Sequence, residues 1–405
     1  MNGNSRKLLM ALAGMVTGLL LLASCLSSGA VARGWAGVSE LNSTLIFAST
    51  SGNVYAVDST TGLVNGTPIK LVQSASASGG LLSCIPSCGG QQVAAIAFYG
   101  SPSTTSDLVI IGGNDGKVHA YQLSGGKLKT YKDATGNDEF WLYPQNGTLG
   151  AAIIGGLTVA NDHVYFAAAD GTVYSLTVAD GYKEWSHSIG KKIWSTPAVA
   201  NGMVYIGSFD KKLYALDQNT GEEKWVFETK GAITAPPLVQ NGMVYVGSYD
   251  RHLYAVNATT GKLVWEFPAA PGTSESARNW FWVAPIISGN TLYAPCLDGQ
   301  VYVLDAGTGR FITAVNLGKS LSSAPVVVGD NVIVAATDLA KKTSKVYAIS
   351  TANQQSRELT SLGEGIDAAL FASQGIVYIH TTSDSFYGLN AQNGALQKFS
   401  LTVTK

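Results

Sequence analysis

The side chains able to carry chemistry are few in this 405-residue chain, which holds four cysteines and five histidines. Cys84 and Cys88 flank Ile-Pro-Ser in a Gly/Ser-rich stretch, where a short disulfide would staple a loop. A zinc site would want four ligands, and neither a histidine nor a second cysteine pair stands near them in sequence. Cys296 takes a place that neighbouring units give to serine, so it reads as a buried, inert thiol. His119, His163, His187, His252 and His380 show no ligand spacing. The pairs Asp115-Gly116, Asp170-Gly171 and Asp298-Gly299 could suggest calcium, yet each falls at a turn between apolar runs, where Gly supplies positive φ. No Gly-x-Ser-x-Gly, phosphate loop or calcium loop of the EF-hand type occurs. The expectation is no catalytic residue and no metal site.

Aromatic residues offer more. "NDEFWLYPQNG" presents Phe140, Trp141 and Tyr143 beside Asp138 and Glu139. "SARNWFWVAP" presents Arg278, Trp280 and Trp282, and "GKKIWSTP" presents Trp194 after Lys191 and Lys192. Trp, Tyr and Arg are the types most enriched at binding hot spots, so these seven residues are the candidate partner site.

The chain begins with Arg6 and Lys7 before the uncharged run "LLMALAGMVTGLLLLAS", the order of an export signal. An uncleaved membrane span is the alternative reading of that run. "LASC", ending at Cys25, resembles the bacterial lipobox, in which the cysteine is acylated and becomes the mature N-terminus. The expected organisation is a signal peptide over 1–24, a lipidated tether over 25–33 and one folded domain over 34–405. Such a protein stays at a membrane surface of the cell envelope, either the outer membrane or the outer face of the cytoplasmic membrane. A formal charge of −1 with no basic patch argues against a nucleic-acid partner.

The elements that must position these residues come from a repeat. "VYAV" at Val54 recurs as variants beginning at Val118, Val173, Leu213, Leu253, Val301, Val346 and Phe386. The intervals are 64, 55, 40, 40, 48, 45 and 40 residues, a base unit of forty with insertions. Within a unit, "STPAVANG", "MVYIGSFDKK", "LYALDQNTG" and "EEKWVFE" read as four short strands separated by turn residues. Four strands per forty residues is the period of a propeller blade. The fold is therefore all-β, an eight-bladed propeller of four-stranded antiparallel blades, with seven blades as the alternative because the copies at 118 and 386 are weakest. Trp185, Trp225 and Trp265, forty apart, are assigned to packing between blades. The insertions at 66–91, 125–150, 268–282 and 338–345 are placed on one face, and the opposite face keeps short turns.

"ALDQNTGEEKW" and "AVNATTGKLVW" resemble the A-x-D-x-x-T-G-x-x-x-W repeat of the PQQ-like β-propeller superfamily. That resemblance implies the propeller over essentially the whole mature chain. It implies two functions: binding lipoproteins similar to BamB, or quinoprotein dehydrogenases using pyrroloquinoline quinone and calcium. The dehydrogenases typically carry two adjacent cysteines, a pattern Cys84 and Cys88 do not match. The expectation is a lipid-anchored, non-enzymatic scaffold without cofactor, binding a protein or another envelope ligand.

Overall fold

In the computed structural model, residues 36–49, 51–73, 94–129, 139–269 and 276–401 are described. They form eight antiparallel blades in simple chain order, seven of four strands and one, blade two, whose fourth strand is split in two; the eight repeat copies are the third strands, and Val72–Gln73 and Ala94–Ala95 pair as a separate two-stranded sheet. Seven blades is thereby excluded. Blade four shows the pattern: Ala198–Ala200, Met203–Gly207, Lys212–Asp217 and Glu223–Glu228. The second strand is the most buried and the fourth lies outermost with charged residues exposed, as the drift of Glu and Lys along the repeat requires.

The first strands form the inner ring, where side chains tie several blades to the next. Ser195 Oγ donates to the Ala235 carbonyl at 3.1 Å, and Ser103 and Ser323 Oγ donate to the Leu157 and Ala368 carbonyls at 2.6 Å each. Further out, the repeat motif is a lock between blades. Asp217 Oδ1 accepts from the Asn219 and Thr220 amides, closing the turn that carries Gly221. The indole of Trp185 in blade three lies on that glycine, and its Nε1 donates to the Gln218 carbonyl at 3.0 Å. Trp225 repeats the arrangement on Gly261 and the Ala258 carbonyl, and Trp265 on Gly309 and the Ala306 carbonyl. Tyr165, Tyr205 and Tyr245 donate their hydroxyls to the same three carbonyls at 3.1–3.3 Å, so both lone pairs of each oxygen are used.

Blade one and blade eight are each built from contiguous strands, so among the described residues no shared sheet closes the ring. Closure is by side chains. Val38, Leu45, Phe47 and Val57 pack with Tyr378, Phe386 and Phe399, and the Phe47 and Phe386 rings stack at 4.4 Å. The Phe399 ring covers Gly62 as tryptophans cover the equivalent glycines elsewhere. His380, buried in blade eight, places Nδ1 2.9 Å from the Ala36 carbonyl ahead of the first strand.

Blade two departs from the expectation. Lys127–Lys129 and Trp141–Tyr143 both pair with the third strand Val118–Ser124, so the extra chain at 125–150 interrupts the fourth strand rather than following it. The insertion at 268–282 does follow a fourth strand, Leu263–Phe267, whereas the stretch 66–91 itself includes the fourth strand of blade one, Ile69–Lys70, and runs on past it. Residues 338–345 form the tip of a lengthened hairpin between the second and third strands of blade seven.

Candidate partner-binding face

In an up-and-down blade, the lead-in to the first strand and the turn between second and third strands open on the same face. On the lead-ins, Ile193, Ile233 and Phe281 are fully buried anchors between neighbouring blades. The next residues are Trp194 and Trp282, half-buried, and the smaller Thr234, which is buried. The turns of blades four and five supply Phe209 and Tyr249 in "GSFD" and "GSYD". These residues join into one row. Trp194 meets Phe209 edge-on at 4.8 Å, and Phe209 meets Tyr249 edge-on at 6.3 Å. Tyr249 then stacks on Trp280 at 4.3 Å with 6° between planes, and on Trp282 at 6.0 Å. All five rings are partly exposed. Burial among them pushes the Tyr249 hydroxyl pKa up to about 12, so it is a neutral donor at physiological pH. Exposed Lys191, Lys192, Lys230, Arg251 and Arg278 rim the row.

The turn aspartates hold this surface rigid. Asp298 Oδ2 accepts from the Arg278 amide at 2.9 Å and the Tyr302 hydroxyl at 2.8 Å, fixing the returning insertion to blade six. Asp250 does the same for the Lys230 amide and Tyr254, both at 2.8 Å. Burial first, then the adjacent carboxylate, raises the pKa of Tyr254 and Tyr302. The Asp-Gly pairs are hairpin turns: Gly116, Gly171 and Gly299 have φ of +73°, +97° and +89°, and Asp115, Asp170 and Asp298 each cap the amide two residues on.

The structure separates the seven predicted site residues. Trp194, Trp280 and Trp282 come together, with Arg278 on their rim. Trp141 is corrected to packing: it is 7% exposed, pairs with Ala120, donates Nε1 to the Val178 carbonyl at 2.8 Å and covers Gly181. It is the first member of the Trp185–Trp225–Trp265 series, concealed from the forty-residue count by the insertion. Tyr143 packs against Phe166 and Tyr174 of blade three. Phe140 is 41% exposed, but it borders a cleft of about 480 Å³ shared with Asp162 and Ala179 in the short turns of blade three, on the opposite face. Phe209 and Tyr249 were missed by sequence reasoning; their signal is an aromatic at a turn position where blades three and six have Ala169 and Leu297. Cys25, Cys84 and Cys88 lie outside the described residues. Cys296 is buried, with Sγ 3.3 Å from the Asn279 carbonyl, and burial raises its thiol pKa.

Beside the interrupted strand, blade two holds a buried ionic cluster. His119 stands where other third strands have tyrosine, with Asp115 and Glu139 each 3.1 Å from a ring nitrogen. Tyr121 also donates to Glu139 at 3.2 Å. Burial opposes charge on His119, but the two carboxylates outweigh it and raise its pKa; burial likewise opposes charge on Glu139, and His119 outweighs it and lowers the pKa.

The profile of the family described as "Outer membrane protein assembly factor BamB" matches residues 169–398, more than half of the chain. The chain belongs to the BamB family. No curated protein matches it in sequence. Among solved structures, BamB from Moraxella catarrhalis is similar at a TM-score of 0.61 and 16% identity, covering 87% of this chain and 95% of that one. The computationally designed Ika8 protein is similar at 0.63 and 17%, covering 91% and 96%. A quinohemoprotein alcohol dehydrogenase from Pseudomonas putida HK5 is similar at 0.55 and 17%, covering 73% and 66%. At these identities the structural likenesses concern the propeller fold.

The quinone and calcium of the dehydrogenase branch can be tested against the residues present. Calcium wants six to eight oxygen ligands including several carboxylates. Among the described residues, no three His, Cys, Asp or Glu side chains converge as metal ligands. The turn carboxylates beside the aromatic row, Asp210, Asp250 and Asp298, are each committed to a tyrosine hydroxyl and a backbone amide. Among the described residues, no carboxylate cluster fits the calcium.

Proposed function

We propose that this protein is a non-catalytic binding scaffold of the cell envelope, acting in outer-membrane protein assembly through its long-loop face. Acylation of Cys25 holds it at the membrane in this reading, and Cys84 and Cys88 pair as a disulfide in the insertion after blade one. The observation that carries the proposal is the row Trp194–Phe209–Tyr249–Trp280–Trp282, a continuous aromatic strip on a rigid face, rimmed by five cations. Aromatic and arginine side chains on a preorganised surface bind with little ordering entropy, which suits recognition of a protein partner. The test is photo-cross-linking from position 209 in the native envelope, within the row but outside its parallel-stacked part. A recurrent protein adduct supports the reading; its absence, with adducts instead from the short-turn face, rejects this face.

The likeness to a quinohemoprotein dehydrogenase motivates a second reading, a quinone-dependent oxidoreductase. Adding pyrroloquinoline quinone with calcium should leave the melting temperature unchanged. A ligand at 100 times its Kd would stabilise the fold by ~2.7 kcal/mol, a shift that would favour the oxidoreductase.

A further inference from the structure

The second and third strands of blade seven, Asn331–Asp338 and Thr343–Ser350, are eight residues long, against five for Met243–Gly247 and Leu253–Asn257 in blade five. Three additional residues per strand carry the turn about 10 Å further out. This tip is rigid. Asp338 Oδ1 accepts from the Ala340 and Lys341 amides at 3.1 Å each, its carbonyl accepts from the Lys342 amide at 2.7 Å, and its Oδ2 pairs with Lys319 at 2.9 Å. Held on it are Leu339, 55% exposed, and the exposed Lys341 and Lys342. An apolar side chain fixed at a projecting tip between lysines contributes nothing to the propeller core.

Topology shows what it faces. Ala36 leads into the first strand of blade one, so the chain reaches the propeller from the same face as this hairpin. The Ala36 carbonyl is pinned by His380 of blade eight, which stands between blades seven and one. Cys25 lies eleven positions earlier, and at full extension that length spans about 40 Å. The side to which the tip projects is therefore within reach of a membrane attached through the N-terminal segment.

We infer that the blade-seven hairpin is a second membrane contact, seating Leu339 in the interfacial layer with Lys341 and Lys342 on anionic phospholipid headgroups. One leucine with flanking cations makes a weak contact that orients the propeller rather than anchoring it, so the tether and the tip together set the tilt of the binding face. This inference rests on the proposed membrane attachment of the N-terminal segment.

The test uses the full chain on vesicles of phosphatidylethanolamine with phosphatidylglycerol, and on vesicles of phosphatidylcholine alone. Acetylation rates are read by mass spectrometry at Lys341 and Lys342, with Lys262 on the opposite face as internal reference. On the anionic vesicles the two tip lysines should label at least about fivefold more slowly relative to Lys262, and Leu339→Asp should restore the rate. Equal labelling on both vesicle types overturns the inference, as does protection that appears only after a protein extract of the envelope is added. The mass of the N-terminal peptide in the same sample tests the anchor separately: an unacylated Cys25 with the tip still protected removes the lipid and leaves the tip contact standing.

Discussion

The indole of Trp225 lies directly on the Cα of Gly261 in the next blade, so close that a Cβ there would stand 2.6 Å from Cδ2. The contact explains why the repeat keeps Gly and Trp together: they belong to different blades and form one lock. Trp225→Ala should destabilise the propeller by about 3–5 kcal/mol. Gly261→Ala should cost about 1–3 kcal/mol through overpacking at a residue with φ of +67°. In a double-mutant cycle by urea unfolding the two should couple by more than about 0.5 kcal/mol; strict additivity would refute the lock.

The hydroxyls of Tyr245 and Tyr293 give a matched pair. Tyr245 donates to the Ala306 carbonyl at 3.2 Å, whereas the buried Tyr293 hydroxyl of blade six, whose fourth strand has Thr313 at the tryptophan position, makes no well-formed hydrogen bond among the described residues and has only the Gln354 side chain near it. Tyr245→Phe should therefore cost about 1 kcal/mol, and Tyr293→Phe should cost clearly less, since it removes a poorly satisfied polar group. Equal losses in thermal unfolding would contradict this.

The His119–Glu139 pair gives a pH dependence. The His119 pKa is raised, so its contribution is full below the ordinary 6.5 and is lost as pH rises through the folded value. The Glu139 pKa is lowered, so its contribution is full above the ordinary 4.5 and is lost as pH falls through the folded value. The stability gap between the wild type and Glu139→Gln should peak between these two ordinary values and shrink toward pH 9. A gap independent of pH would mean the pair carries no charge.

The blades were legible in the sequence because their packing repeats: the same tyrosine, Thr-Gly and tryptophan must recur wherever one sheet meets the next. Trp141 was misread because the insertion before it displaces it from the forty-residue count, while its pairing with Ala120 keeps the shared register. Phe209 and Tyr249 were overlooked for the converse reason. They sit forty apart at one turn position, but blades three and six have Ala169 and Leu297 there, so the pattern spans only two units, and only the folded ring brings them to Trp194 and Trp280. The ionic cluster at His119 was equally hidden, since Glu139 lies twenty residues from its partner across the interrupted strand.

Anchoring has a direct test. Cys25→Ser should abolish acylation and leave the protein either unprocessed or in the soluble fraction. Processing after Ser24 with undiminished sedimentation in the membrane fraction would rule out the lipid anchor.

Binding through the aromatic row is tested most directly by comparing Trp280→Ala with Trp225→Ala. Trp280 stacks on Tyr249 at the surface, whereas Trp225 locks two blades. Affinity for the partner identified by cross-linking and the melting temperature are measured on both variants. Trp280→Ala should keep a near-native melting temperature while losing at least about 2 kcal/mol of binding, roughly thirtyfold in Kd. Trp225→Ala should show the large loss of stability. A folded Trp280→Ala protein that binds the partner with wild-type affinity would contradict the row as the binding site.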